Sequence, residues 1–186
     1  LTPTDIGGIK ALKRRLSQRL QHGIDAGQLQ PRTGKGGIDD MQQVILFLPL
    51  RNGGDVKQLR TTNTLEAIQQ LQLAAFLTQQ ESVSLRDSYL TLLRTEHYLQ
   101  ILFDPMLETI PSDDQRLARL AQKLGYSQSE SPGLLRERFH QRQQSSAEIL
   151  QRLLEDALQE QQGSAESDLL YNPWPAEQQI DSVLSR

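Results

Sequence analysis

The sequence predicts an all-α fold: a helical bundle of about six to seven helices with one long central helix. Three observations lead there. Apolar residues recur at helical spacing along most of the 186 residues, and each such block ends in residues that cap or stop a helix. No stretch shows the alternation of a half-buried strand or a convincing hairpin turn.

The elements follow in order. Ile9, Leu12, Leu16 and Leu20 fall on one helical face, with Lys10, Lys13, Arg14, Arg15 and Arg19 between them, and His22-Gly23 ends the segment. Residues 23–37 form a loop containing Pro31. A helix from about Ile38 to Leu50 aligns Ile38, Met41, Ile45 and Leu48, and Arg51-Asn52-Gly53-Gly54 closes it with residues that tolerate left-handed dihedrals. Asn63 or Thr64 caps a short helix through Leu73, with Glu66 in its first turn. Thr78 opens the longest helix, to about Phe103. Its face of Leu85, Tyr89, Leu92, Leu93, Leu99 and Phe103, widened by Leu90, Ile101 and Leu102, makes it central. Asp104-Pro105 stops it. Ser112 caps a helix to Leu124, which Gly125 ends, and Pro132 begins a last long helix to about Gln162. Residues 1–162 thus form one helical domain. Residues 163–186 read as a linker, containing Tyr171 and Trp174, followed by a short helix from Ala176 to Leu184.

Composition narrows the function classes. Twenty basic against 23 acidic residues give a net charge of −3, which offers no electrostatic case for nucleic acid or an anionic membrane. The absence of cysteine removes disulfides, thiolate metal sites and cysteine nucleophiles and fits a reducing, cytoplasmic setting. The longest apolar run, Val44 to Leu50, is interrupted by Pro49, far short of a bilayer span. No signal peptide is visible, and a start at Leu1 suggests a piece of a longer chain. The Gln-Gln pairs at Gln42, Gln69, Gln79, Gln143, Gln161 and Gln178 read as solvated helical surface, glutamine being a good helix former.

The most informative stretch is Thr33-Gly34-Lys35-Gly36-Gly37-Ile38-Asp39-Asp40-Met41. Glycines beside a lysine, feeding a helix start, suggest free N–H groups and a cation that hold an anion; a plain glycine-rich turn explains them equally well. A phosphate-binding P-loop is excluded, because Gly36 rather than Ser or Thr follows Lys35 and no buried strand precedes the loop. Asp39 and Asp40 suit metal ligation or general-base work, but first-turn acids that favour the helix dipole fit them better. Arg94, Glu96, His97 and Gln100 form a polar group on the long helix, read first as a hydrogen-bonded network and second as a contact for a partner domain or nucleotide. A single histidine there makes a poor metal site. Gly163-Ser164-Ala165-Glu166-Ser167-Asp168 lacks the paired aspartates of a nucleotidyltransferase centre, since Leu170 stands at the second position. Trp174, between two prolines, reads as a packing anchor.

Taken in order, these blocks resemble the helical domain of bacterial glutamine synthetase adenylyltransferases, shared more distantly with the uridylyltransferases that modify the PII protein. The resemblance covers residues 34–126. It rests on the Gly-Lys-Gly-Gly-Ile turn, the Leu-Arg-x-x-Asn-Thr-Leu-Glu-Ala block at Leu59 to Ala67, and the run from Tyr89 to Gln100. Asp104 with Pro111, and Leu120 to Tyr126, complete it. It implies a nucleotidyltransferase domain N-terminal in the same polypeptide, outside this sequence, that binds ATP and Mg²⁺ and moves AMP to a tyrosine of glutamine synthetase under the control of glutamine and PII. It also implies that Lys35, Gly36, Gly37, Asp40, Arg94 and His97 lie near the nucleotide or the interdomain surface. No catalytic residue, metal ligand or cofactor is expected within the chain itself.

This sequence departs from that family's pattern at polar positions. Asp39 replaces an arginine, Gln42 a glutamate and Gln43 an aromatic residue, and Met106 and Glu108 stand where glutamine and histidine are usual. Apolar spacing and glycines persist. The chain therefore reads as a divergent member whose helical domain serves docking or regulation. The alternative is a free-standing helical interaction module without nucleotide chemistry, and a weaker one is a small helical enzyme.

Overall fold

The computed structural model describes residues 15, 16, 18, 20, 29–52, 61–126 and 132–171, with the backbone alone at 49–52, 132 and 157–171. Among these the fold is entirely helical, with five helices: α1 (Ile38–Asn52), α2 (Thr64–Leu73), α3 (Gln79–Leu102), α4 (Asp114–Lys123) and α5 (Pro132–Tyr171). Leu16 and Leu20 are also helical and 1% exposed, so that part of the N-terminal segment belongs to the core. The rest of that segment, Trp174 and the expected helix from Ala176 lie outside the described residues.

The apolar stripes meet as their spacing requires. Ile38, Met41, Ile45 and Leu48 of α1 are buried against Ala67, Ile68 and Leu71 of α2, Leu85, Leu92 and Leu99 of α3, and Phe139, Leu150 and Leu154 of α5 in one continuous cluster. α3 packs on all four other helices, and α1 is seated mainly on α5 and α2. Ile101 departs from expectation. It is 63% exposed, because it lies two positions past Leu99, on the far side of the helix.

The starts of α2, α3 and α4 are each fixed by a side chain. Asn63 accepts from the amides of Leu65 and Glu66 at the head of α2. Thr78 and Glu81 form a reciprocal capping box on α3, and Arg152 of α5 binds the same glutamate. Asp113, not Ser112, caps α4 by accepting from the Arg116 amide at 2.8 Å. At the end of α4, Gly125 adopts φ +87 while Tyr126 N–H reaches Ala121 O and Gly125 N–H reaches Gln122 O. That is a Schellman closure. α2 ends in the same pattern, Phe76 to Leu71 and Ala75 to Gln72, but with an alanine at φ 62.

Two expectations about length need correction. The longest helix is α5, with 40 residues, not α3, with 24. The helix expected to stop at Gln162 continues through Gly163 to Tyr171. A lone glycine costs a helix only about 1 kcal/mol relative to alanine, and here good helix formers flank it on both sides.

Candidate functional site

The glycine-rich turn joins the loop at Leu29 to the head of α1, and five of its amides are engaged with its own chain. Gly34 N–H donates to Gln30 O, Gly37 N–H to Gly34 O, Ile38 N–H to Pro31 O and Asp39 N–H to Arg32 O, at 2.8–3.1 Å. Gly36 N–H donates to Asp40 Oδ2 at 2.9 Å in a buried bond. The anion at this helix start is therefore the carboxylate of Asp40, which is 1% exposed. The amides of Gly34, Gly36, Gly37, Ile38 and Asp39 are thus committed internally.

The glycines have a packing reason. Gly36 sits at φ +68, and a Cβ there would lie 2.1 Å from Gln143 O and 2.8 Å from Ala147 N on α5. The backbone of the turn thus rests directly on the backbone of the last helix. Gln143 completes the joint by donating its Nε2 to Gln30 O at 2.8 Å. Gln143 is 1% exposed, so this member of the Gln-Gln pairs is a buried post rather than solvated surface. Its Oε1 and the Ser146 hydroxyl are buried with no partner among the described residues. Nothing in the local sequence distinguishes Gln143 from the exposed glutamines beside it, which is why sequence reasoning passed over it.

Two neighbours of the turn lock it to α3. Arg32 forks onto Glu96, with Nη2 at 2.8 Å from Oε2, and also reaches Asp39 at 3.3 Å. The hydrogen bonds that Arg32 donates to Glu96 raise the guanidinium's pKa further above its ordinary value. Gln42 Nε2 donates to Tyr89 Oη at 2.9 Å. Asp39 and Gln42, two positions expected to depart from the family pattern, make internal contacts.

The six expected site residues are not brought into one pocket. Gly36, Gly37 and Asp40 are buried and structural. Lys35 is half-buried and lines a cleft of about 290 Å³ with His140, Gln143, Gln144, Glu148 and Gln151 of α5. Arg94 and His97 are exposed on α3, flanking Glu96 but not lining that cleft, and His97 is tilted against Tyr98 with ring centroids 6.1 Å apart. Among the described residues no group of three His, Cys, Asp or Glu side chains is placed to hold a metal ion, and no helix is long and apolar enough to cross a membrane. These residues do not fit a Mg²⁺–triphosphate group, and no chemical step is assigned to them.

The model of the GlnD PII-uridylyltransferase family matches residues 10–158, four-fifths of the sequence and all five helices at least in part. The chain belongs to this family. It is also similar to proteins named bifunctional glutamine synthetase adenylyltransferase/adenylyl-removing enzyme. One, from Streptomyces coelicolor, is 28% identical over 130 residues, covering 69% of this chain and 13% of the relative. Another, from Bifidobacterium longum subsp. infantis, is 30% identical over 129 residues, 68% of this chain and 12% of the relative. A third, from Mesorhizobium japonicum, is 30% identical over 122 residues, 65% and 12% respectively. The chain thus spans about one-eighth of the length of the curated relatives it matches. In this chain the glycine turn is a joint between α1 and α5, with Lys35 at the edge of the cleft.

Proposed function

We propose that this chain is the helical body of a nucleotidyltransferase of the glutamine synthetase adenylyltransferase type, serving in docking or regulation and transferring no nucleotide by itself. On this reading a nucleotidyltransferase domain of the same polypeptide binds ATP and Mg²⁺ and moves AMP between ATP and a tyrosine of glutamine synthetase in the cytoplasm, with PII as the regulatory partner. Lys35, Arg94 and His97 are the outward positions that meet that domain or its nucleotide. Gly36, Gly37 and Asp40 act beneath them by holding the turn rigid.

The observation that carries this reading is the state of the turn in a chain of this family. A turn whose three glycine amides are taken by its own carbonyls and by Asp40 suits a rigid scaffold better than a phosphate cradle. Calorimetric titration of the chain with ATP, AMP and glutamine tests it. Millimolar or absent binding is expected. Micromolar affinity for ATP would replace docking with a direct nucleotide site. In a longer polypeptide carrying the transferase domain, Lys35→Ala is expected to lower AMP transfer while leaving the fold intact; unchanged transfer would remove Lys35 from the interdomain contact.

A further inference from the structure

α3 carries a second stripe, on the face turned away from the core. Val83, Asp87, Leu90, Arg94, His97 and Ile101 follow one another at intervals of 4, 3, 4, 3 and 4 residues, the spacing of a seam between two packed helices. At about 100° per residue all six fall within about 40° of one line, opposite the buried Leu85, Leu92 and Leu99. Val83 and Ile101, at the two ends of the stripe, are 54% and 63% exposed. Leu90 is half-buried, and Asp87, Arg94 and His97 are exposed. Asp87 and Arg94 make no hydrogen bond or ion pair among the described residues. The helix at the centre of the bundle thus keeps an open face with apolar ends and charge between them.

We propose that this stripe is a self-association seam, on which two copies of the chain pair their α3 helices antiparallel about a two-fold axis level with Leu92. The stripe is its own complement in that arrangement. Val83 and Ile101 lie 9 positions either side of residue 92, Asp87 and His97 lie 5, and Leu90 and Arg94 lie 2. In an antiparallel pair, residues equally distant from the axis meet. Val83 therefore packs on Ile101 of the second copy at both ends of the seam. Asp87 accepts a hydrogen bond from His97 of the second copy, and Leu90 packs on the aliphatic stem of its Arg94. That guanidinium also reaches Asp87, which lies about 4.5 Å further along the axis. A parallel, in-register pair would set Asp87 against Asp87 and Arg94 against Arg94, so the charges choose the antiparallel form. The seam rests on α3 alone and stands whether or not the docking reading does. Pairing takes up Arg94 and His97, so it excludes docking through those two residues.

Sedimentation equilibrium of the whole 186-residue chain over a wide concentration range tests this. A reversible monomer–dimer equilibrium is expected, with a dissociation constant of about 10–100 μM, because six residues a side fall well short of a standard interface of roughly 20–30. Val83→Lys and Ile101→Glu, both at exposed positions, are each expected to weaken the dimer at least about tenfold by putting a charge against an apolar partner at both ends. The double variant sets Lys against Glu across the two-fold axis and is expected to regain most of the lost affinity, which a parallel pair would not allow. Leu73→Lys changes a residue that is 72% exposed on α2, outside the seam, and is expected to leave the equilibrium unmoved. Far-UV circular dichroism confirms that each variant is folded. A monomer at every concentration, a dimer indifferent to Ile101→Glu or equally weakened by Leu73→Lys, or a double variant no tighter than the single ones would overturn the proposal. Docking is measured as AMP transfer in the longer polypeptide, so failure of either reading is seen by itself.

Discussion

Gly36 and Ala75 both hold left-handed backbone, at φ 68 and φ 62, and their surroundings make opposite demands. At Gly36 the missing side chain is a steric requirement, because α5 backbone occupies the space a Cβ would need. Gly36→Ala is expected to destabilise the fold by about 3 kcal/mol or more, combining dihedral strain with a backbone clash, as read by urea denaturation. Ala75 is an exposed position at the close of α2 where glycine would be at ease. Ala75→Gly is expected to raise stability by about 0.5–1 kcal/mol, relief of left-handed strain outweighing the added entropy of the unfolded chain. A loss of stability, seen as a lower melting temperature, would place the strain elsewhere. The contrast also marks what single residues disclose. The glycine at 36 announced a special backbone but not its cause, and the alanine at 75 announced nothing. Arg32 is a third case. It is 46% exposed and pairs with Glu96, so Glu96→Gln is expected to cost less than about 1 kcal/mol, by thermal melting, and less still in high salt.

Among the elements, α3 and α5 meet at Glu81, which serves two helices. Its Oε2 accepts from the Thr78 amide and hydroxyl, at 2.9 and 2.8 Å, and its Oε1 accepts from Arg152 Nε at 2.9 Å. Burial alone would raise its pKa, but the hydrogen bonds from Thr78 and the charge of Arg152 outweigh it and leave the carboxyl below its ordinary 4.5. A depressed folded-state pKa stabilises the protein above 4.5, and that stabilisation is lost as pH falls through the folded value. Glu81→Gln is expected to be less stable than the native chain at pH 7 by about 1 kcal/mol, with the gap closing between pH 4.5 and the acid limit in denaturant titrations. A gap that persists unchanged in acid would show that the carboxylate charge is not what matters. At this scale the sequence was most legible. Asn63, Thr78 and Gly125 mark helix ends by local chemistry, and the apolar positions of α1, α2 and α3 fall where their period puts them. The helix past Gln162 was not legible, because Gly163-Ser164 carries the composition of a linker and only its neighbours' propensities favour continuation.

The candidate site was the least legible part, and the reason lies in the architecture of the whole molecule. Lys35, Arg94 and His97 stand out as chemistry-bearing residue types, but the contacts that define the turn come from Gln143 and Ala147, more than a hundred positions away and chemically bland. Whether two helices approach closely enough to exclude a methyl group is a property of the packed bundle, with no local signature. Arg136 similarly ties α5 to Pro111 O at 3.0 Å, and Ile110 N–H reaches back to Leu29 O at 2.9 Å. The first helix thus finds its seat in the last one. During synthesis, a ribosome that has released everything through α4 has made α1 but not the surface on which the Gly36 turn rests. The start of the bundle must wait, with its apolar stripe uncovered, until residues 143–147 emerge, so pulse-labelled nascent chains halted before that point should stay protease-sensitive at the turn and those halted well after it should not.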